Sequence, residues 1–244
     1  MNDRRVRGLD RRDFIRTAGG VLVSGGWLVA CDSRGPKAAQ RLLDHAERKN
    51  EVVERTLFRH TAMGAPTAGT NIAGDAFPSY HIAAEVPVWD AAVNGAWTLA
   101  IGGLVKTPLT ISLEALLALP RVTQKVPHFC VEGWTAVAEF TGVRVRELGR
   151  LVGANPHAGY VDFASFDDQY HESWDRDSAE HDQTLIVFAK DGQLLTPAYG
   201  APARVHSPVK LGYKNTKYLT TVTFMAERNG GYWSDEGYEW YGGT

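Results

Sequence analysis

The stretch His128-Phe129-Cys130-Val131-Glu132-Gly133-Trp134 holds one of only two cysteines in the chain. The other, Cys31, ends an apolar N-terminal segment. If Cys31 is lipidated or removed, Cys130 has no partner for an intramolecular disulfide. In an exported protein, an unpaired thiol is either buried and inert or bound to a ligand. The ligands that thiolates favour are transition metals. Because a lone cysteine is more often a packed core residue, a metal site at Cys130 needs a second motif that agrees with it.

Two basic stretches downstream supply this second motif. Tyr199-Gly200-Ala201-Pro202-Ala203-Arg204 is followed by Lys210-Leu211-Gly212-Tyr213-Lys214-Asn215-Thr216-Lys217. Taken alone, they are typical of a solvated basic loop. Together with the stretch around Cys130, they resemble the sulfite-oxidase-type molybdopterin-binding domain. That family has a Cys-Val-acidic-small-Trp run and a later Gly-Ala-Pro-x-Arg motif, and the resemblance covers about residues 70–226.

The resemblance implies a molybdenum–molybdopterin cofactor, with Cys130 as the ligand that the protein gives to the metal. The pterin ends in a phosphate, which needs cationic side chains and N–H donors. The family also has a pterin-contacting segment before its core and a strand that ends in a cofactor-contacting Ser or Thr. The residues that match these positions, and that we expect to bind the cofactor, are Asp75, Phe77, Pro78, Ser79, Ser165, Arg204, Lys214, Asn215, Thr216 and Lys217.

Turn signals and apolar patterns predict an α+β domain with mixed sheets and short helices. The resemblance implies the same class, a sulfite-oxidase-like molybdopterin-binding fold. Ser112 is a helix N-cap signal, Gly153 a C-cap signal and Asp191-Gly192 a hairpin signal. Helices are expected at 113–118 and 145–152, and strands at 97–101, 122–129, 160–165, 184–190, 203–207 and 219–225.

The N-terminal residues predict export. Arg11-Arg12-Asp13-Phe14-Ile15-Arg16 resembles the twin-arginine signal, and the uncharged stretch 17–30 that follows is too short to span a membrane. This route carries folded proteins, which suits a cofactor inserted in the cytoplasm. Leu28-Val29-Ala30-Cys31 resembles a lipobox. We therefore expect an extracytoplasmic, periplasmic protein, tethered to a membrane surface by a lipid on Cys31.

The expected organisation is a signal peptide over residues 1–31, a linker and surface helix over 32–70, and a molybdopterin-binding catalytic domain over 71–244. The composition, with 44% hydrophobic and 22% charged residues, is ordinary for a globular protein. Without the first 31 residues the chain keeps 20 basic and 25 acidic residues, a net charge of about −5. This balance excludes a basic nucleic-acid footprint, so we expect no nucleic-acid partner.

Departures from the family pattern bear on the substrate. Sulfite oxidases hold their anionic substrate with an Arg, and the comparable position of this chain falls at about Tyr80. The layout of the chain is more similar to that of the catalytic subunits of bacterial periplasmic methionine-sulfoxide reductases. Two positions differ from that group: Tyr199 stands where the group has an Asn, and Gly133 stands where it has a larger residue. The aromatic tail 229–241 is either a packed terminus, which we favour, or a wall of the site. The expected substrate is a neutral S- or N-oxide, small or protein-bound, reduced by oxygen-atom transfer.

The sequence does not assign the catalytic side chains. The first candidates are His128, two residues from Cys130, and Tyr80. Other histidines are weaker candidates for proton donors near the metal: His171, His181 and His206.

The electron source is expected to be a separate protein. The chain has no Cys-x-x-Cys-His haem-attachment motif, and a lipid on Cys31 predicts a membrane-bound redox partner. Two alternatives stay open. One is sulfite oxidation on the same fold, and the other is a non-catalytic lipoprotein binding module that has lost the metal.

Overall fold

The computed structural model describes four parts of the chain, and every structural statement refers to them: residues 40–57, 63, 77–167 and 170–244. The signal segment, Cys31 and the predicted cofactor contact Asp75 lie outside these residues. No helix in the described ranges is both long enough and apolar enough to cross a membrane.

The described residues form an α+β fold, as predicted. The helices are α1 (Gln40–Leu57), α2 (Ala91–Asn94), α3 (Leu113–Ala118), α4 (Val145–Val152), α5 (Arg176–Ala179) and α6 (Tyr232–Asp235). The strands are β1 (Thr98–Gly103), β2 (Leu109–Ser112), β3 (Val122–Phe129), β4 (Thr135–Arg144), β5 (Tyr160–Ser165), β6 (His171–Asp175), β7 (Leu185–Lys190), β8 (Gln193–Leu194), β9 (Arg204–His206) and β10 (Leu219–Met225).

The strands are arranged in two sheets. The first has the order β2-β1-β10-β5-β6, in which β1 and β10 are parallel and the other neighbours antiparallel. The second has the order β3-β4-β7-β8, with β9 also paired to β7. β3 and β4 form a hairpin whose last pair is Phe129 with Thr135. The tip of this hairpin therefore consists of residues 130–134, the motif around Cys130.

The core is built on both faces of β7. Ile186 and Phe188 pack into a cluster with β1, β10 and α4, whereas Leu185 and Val187 pack into a second cluster with Phe77. Because successive side chains of a strand point to opposite faces, a strand buried on both sides needs an unbroken apolar run. β7 has such a run, and the second cluster anchors Phe77 beside the second sheet.

Most predicted boundaries are confirmed. Ser112 accepts a hydrogen bond from the N–H of Ala115 at the start of α3, and Gly153 ends α4 in the left-handed region. The strands β2, β4 and β6 are not among those predicted from the sequence. In β4 the register shifts beside Gly142, where a Cβ would clash with the backbone oxygen of Ile186. A glycine at a bulge and polar residues within the strand hide its pattern.

The chain divides into two compact units, residues 1–46 and 47–244. The described residues of the first are the N-terminal part of α1. The second begins within α1, and the expected start of the catalytic domain at residue 71 stays a prediction. Arg228 binds Glu47 at 3.0 Å and Glu51 at 3.7 Å.

Residues 207–217, here called the paired-lysine loop, are tied to β6 by two buried ion pairs. Lys210 Nζ lies 2.9 Å from Asp175 Oδ1, and Lys214 Nζ lies 2.5 Å from Glu172 Oε2. All four side chains are buried. Since a buried ammonium group is tolerated only when it is paired and hydrogen-bonded, these contacts determine the position of the loop.

Asp175→Asn should lower the free energy of unfolding by about 3–5 kcal/mol, because the Lys210 ammonium is left buried without a counter-charge. The amide oxygen keeps an acceptor for the N–H of Ser178, now 2.9 Å from Asp175 Oδ2. The matched control is Asp182→Asn at the half-exposed surface pair with Arg146. There the loss should stay below about 1 kcal/mol. Urea denaturation measures both, and equal losses would contradict the role given to the buried pair.

Candidate active site

A cavity of about 400 Å³ brings together side chains that are distant in sequence. Its lining comes from the segment before β1, the β3–β4 turn, the end of β5, β9, the paired-lysine loop and the C-terminal tail. Among the residues with an expected role, the lining includes Phe77, Pro78, Ser79, Tyr80, His128, Cys130, Ser165, Arg204 and Lys217.

Cys130 lies at the tip of the β3–β4 hairpin. Its N–H donates to Trp134 O at 2.9 Å, and the N–H of Gly133 donates to Cys130 O at 3.0 Å. Gly133 has a φ of 87°, which glycine adopts without steric cost. This turn leaves a free, half-buried thiol at the cavity, and burial raises the pKa of Cys130 above its usual value.

Glu132 adds a carboxylate beside this thiol. Its Oε2 lies 3.8 Å from Cys130 Sγ and accepts a hydrogen bond from Trp134 Nε1 at 3.0 Å. The indole of Trp134 stacks on the exposed ring of Tyr80, with centroids 6.3 Å apart. The charge of Glu132 raises the pKa of Tyr80 above its usual value. The surroundings of the thiol are therefore acidic and aromatic.

Arg204 and Lys217 bring two cations to the same cavity. The Arg204 guanidinium donates to Tyr199 O at 3.3 Å and to Asn215 O at 3.2 Å, and Lys217 Nζ donates to Ala198 O at 3.0 Å. Within the described ranges, neither cation forms an ion pair with a carboxylate. Burial lowers the pKa of Arg204 to about 10. Burial and the charge of Arg204 lower the pKa of Lys217 to about 7.

Arg204 is buried and Lys217 is half-buried, and neither forms an ion pair within the described ranges, although the carboxylate of Asp167 lines the same cavity. Two neighbouring cations of this kind favour an anionic ligand, which offsets their desolvation and mutual repulsion. Hydroxyl groups stand nearby: Ser79 Oγ is 3.4 Å from Lys217 Nζ, and Ser165 lines the same cavity. The donor set thus combines one soft thiol with cations and hydroxyls suited to a phosphate. The residues present fit the expected molybdenum–molybdopterin cofactor.

The N-terminal segment of the cavity is held by Tyr199. The Tyr199 hydroxyl donates to Phe77 O at 3.1 Å, and the two rings pack edge to face with centroids 5.9 Å apart. Phe77 is buried, whereas the neighbouring Pro78 and Ser79 are more open. Tyr199, which stands where the methionine-sulfoxide reductase subunits have an Asn, therefore holds the Phe77 segment at this site.

Three predicted cofactor contacts lie outside the cavity lining. Lys214 is paired with Glu172. The Asn215 side chain accepts from the N–H of Ser207 at 2.7 Å, and the Thr216 hydroxyl is buried without a hydrogen-bond partner among the described residues. These residues shape the paired-lysine loop next to Lys217, and their contact with a cofactor stays a prediction.

The four candidate histidines occupy different places. His128 lines the cavity, and burial lowers its pKa to about 3. His206 lies beside it, with the nearest ring nitrogens 3.2 Å apart. His171 and His181 are outside the lining. A hydrogen bond to Asp162, at 2.8 Å, raises the pKa of His171.

Several lining residues were not singled out by the sequence. Asp167 and Tyr170 reach the cavity only because β5 and β6 are antiparallel neighbours joined by the turn that contains them. In the aromatic tail, Trp233 lines the cavity while Trp240 is buried. The tail is thus both a packed terminus and a wall of the site. The other lining residues outside the motifs quoted from the sequence are His81, Ile82, Ala198 and Tyr218.

Comparison with known proteins gives matches along most of the chain. The family model of the oxidoreductase molybdopterin binding domain matches residues 83–233. YedZ1 of Azospira oryzae, by name a proposed protein-methionine-sulfoxide reductase subunit, is 37% identical over 239 residues, which are 96% of this chain and 88% of that protein. The protein-methionine-sulfoxide reductase catalytic subunit MsrP of Ralstonia nicotianae is 32% identical over 144 residues, 53% of this chain and 44% of that protein.

A solved structure shares the fold. The sulfane dehydrogenase SoxCD of Paracoccus pantotrophus superposes with a TM-score of 0.51 and 23% identity, over 54% of this chain and 38% of that one. The family match itself contains Cys130, Arg204 and Lys217. These findings confirm the predicted fold class and cofactor, and they set aside the non-catalytic binding module. The chain belongs to the oxidoreductase molybdopterin-binding domain family and is an enzyme whose cofactor is molybdopterin with molybdenum.

Proposed function

We propose that the enzyme reduces a neutral S- or N-oxide, with protein-bound methionine sulfoxide as the leading substrate. The observation that carries this proposal is the distribution of charge in the cavity. The lysine and arginine side chains of the described lining are Arg204 and Lys217, and both are assigned to the pterin phosphate. The charged group beside Cys130 is instead the carboxylate of Glu132, 3.8 Å from the sulfur.

This arrangement disfavours sulfite as a substrate. Sulfite is an anion, so its site needs a fixed positive charge near the metal, for which the fork of an Arg is suited. A carboxylate at that place repels an anion. A neutral oxide meets no such repulsion, and the names of the two reductase relatives support the same choice.

The mouth of the cavity supports a sulfur substrate. Tyr80, Val131 and Tyr238 line the cavity and are 60%, 48% and 41% exposed. Aromatic rings make favourable contacts with sulfur, and an apolar surface accepts the methylene groups of the side chain. Because these residues reach the protein surface, a side chain carried by another protein has access to them.

Reduction of a sulfoxide breaks its S–O bond, consumes two electrons and two protons, and releases a thioether and water. When bound, molybdopterin supplies a metal that accepts the oxygen atom and passes on electrons. We assign Cys130 to hold the metal, and Arg204, Lys217, Ser79 and Ser165 to hold the pterin. Tyr80 lines the cavity beside Trp134 and Cys130, so we assign its hydroxyl a hydrogen bond to the oxide oxygen.

The electrons come, in this proposal, from a separate membrane-bound redox partner. The twin-arginine-like Arg11-Arg12 pair and the lipobox-like end at Cys31 support export to the periplasm and attachment to the membrane. A lipid on Cys31 would hold the enzyme close to such a partner.

Cys130→Ser should lower oxide reduction by more than about a hundredfold, since loss of even an outer-shell partner of a metal costs 10–100-fold. A hydroxyl does not replace a thiolate on molybdenum. Pterin should remain in the purified protein, because Arg204 and Lys217 still bind its phosphate. The control is Cys31→Ser, the other cysteine of the chain, which should keep full turnover. Wild-type rates in Cys130→Ser would contradict the metal assignment.

The substrate assignment is tested with a reduced viologen dye and a panel of oxides: dimethyl sulfoxide, methionine sulfoxide, an oxidised peptide and trimethylamine N-oxide. We expect turnover of the oxides and little oxidation of sulfite with ferricyanide. Glu132→Gln should lower the KM for sulfite because a repulsive charge is removed, while the surface variant Glu147→Gln should not. Fast sulfite oxidation without oxide reduction would reverse the assignment.

Replacing Arg11 and Arg12 by Lys should retain the enzyme in the cytoplasm, because the resemblance is to a signal that requires the arginine pair. Fractionation of cells that express the wild type and this variant measures the result. The control replaces Arg4 and Arg5, which lie before the pair, and should leave export unchanged. Normal export of the Lys variant would point to another route.

A further inference from the structure

Two buried histidines lie next to the Cys130 turn. His128 is in β3 and His206 is in β9, with His128 Nδ1 3.2 Å from His206 Nε2. Both side chains are buried, and the ring of Phe140 packs on His206 with centroids 4.1 Å apart. The reaction described above assigns no role to either imidazole.

The distance between the two nitrogens restricts where the protons lie. One nitrogen donates and the other accepts, so the two rings cannot both be charged. Arg204 lies two residues before His206 in β9, hence on the same face of the strand. Both rings are buried, and within the described ranges neither forms an ion pair with a carboxylate that could stabilise an imidazolium beside this cation. Each ring therefore carries one proton.

Two arrangements satisfy this condition. If His128 Nδ1 donates, the proton of His206 must sit on its own Nδ1, which is buried and has no hydrogen-bond partner among the described residues. If His206 Nε2 donates, that buried Nδ1 is a bare acceptor. Buried N–H groups without a partner are rarer than unsatisfied acceptors, so the second arrangement is favoured. It leaves the proton of His128 on Nε2.

We propose that His206 is a positioning residue that makes His128 Nε2–H a hydrogen-bond donor to an acceptor atom of the bound molybdopterin. His128 lines the cavity together with Cys130 and Arg204. Gly212 lines the same cavity, and a Cβ there would lie 2.7 Å from His128 Nε2 and occupy the space in front of this nitrogen. His128 thereby acts through a hydrogen bond and not through proton transfer. The inference rests on the family's cofactor and is independent of the proposed substrate.

Long-range ¹H–¹⁵N correlation spectra of the cofactor-loaded enzyme report the tautomer of each histidine ring. We expect protons on Nε2 of both His128 and His206. His128→Gln removes one set of signals and so assigns the pair. A proton on His128 Nδ1 would overturn the inference whether or not the enzyme reduces oxides, which separates this test from the substrate assay.

Substitutions at His206 distinguish positioning from packing. His206→Leu has no donor, so His128 should populate both tautomers and cofactor retention should weaken about tenfold, the lower end for outer-shell partners. His206→Gln keeps an N–H donor and should restore the single His128 tautomer and the retention of the cofactor. The exposed control His157→Leu should change neither the tautomer nor the retention. An unchanged His128 tautomer in folded His206→Leu would sink the inference. If that variant does not fold, the spectra of the wild type and His206→Gln decide.

Discussion

The burial of two lysines is the constraint on which the rest of the site depends. Lys210 and Lys214 are desolvated and stable only beside Asp175 and Glu172. Both carboxylates belong to β6, so the paired-lysine loop is attached to the first sheet. Glu172 also accepts the N–H of Trp233 at 3.1 Å. The same strand therefore positions the loop and one aromatic wall of the cavity.

The basic residues downstream of Cys130 divide into two groups with opposite roles. Lys210 and Lys214 have carboxylate partners and stabilise the fold, whereas Arg204 and Lys217 donate to backbone oxygens and form no ion pair within the described ranges. A cation in the first group is already neutralised by its carboxylate partner. The second group is concentrated in the cavity together with Cys130, which is the combination that molybdopterin needs.

The cavity is also polarised. Arg204 and Lys217 supply its positive charge, and Glu132 supplies a negative charge beside the thiol. The anionic phosphate of the cofactor suits the cations, and its metal suits the thiol of Cys130. The part of the cavity left for a substrate is then lined by aromatic rings and the carboxylate of Glu132. Such an environment admits neutral, polarisable molecules more readily than small anions. The proposed substrate preference thus rests on where the charges lie, because net charge does not distinguish the two halves.

The sequence by itself determined the fold class, the cofactor, and many element boundaries such as the Ser112 cap and the Gly153 stop, because these depend on local residue types and short motifs. It also singled out Cys130. Only the tertiary structure decided which lysine is free: Lys214 and Lys217 look alike in sequence, but β6 offers a carboxylate to the first alone. Likewise, β4 stayed hidden because Gly142 at its bulge and the polar residues within it interrupt the apolar pattern, so that only its pairing with β3 and β7 reveals it. The contact of His206 with His128 exists only once β3 and β9 join one sheet. Pairing of buried charges and packing of strands depend on neighbours in space, which local sequence does not encode.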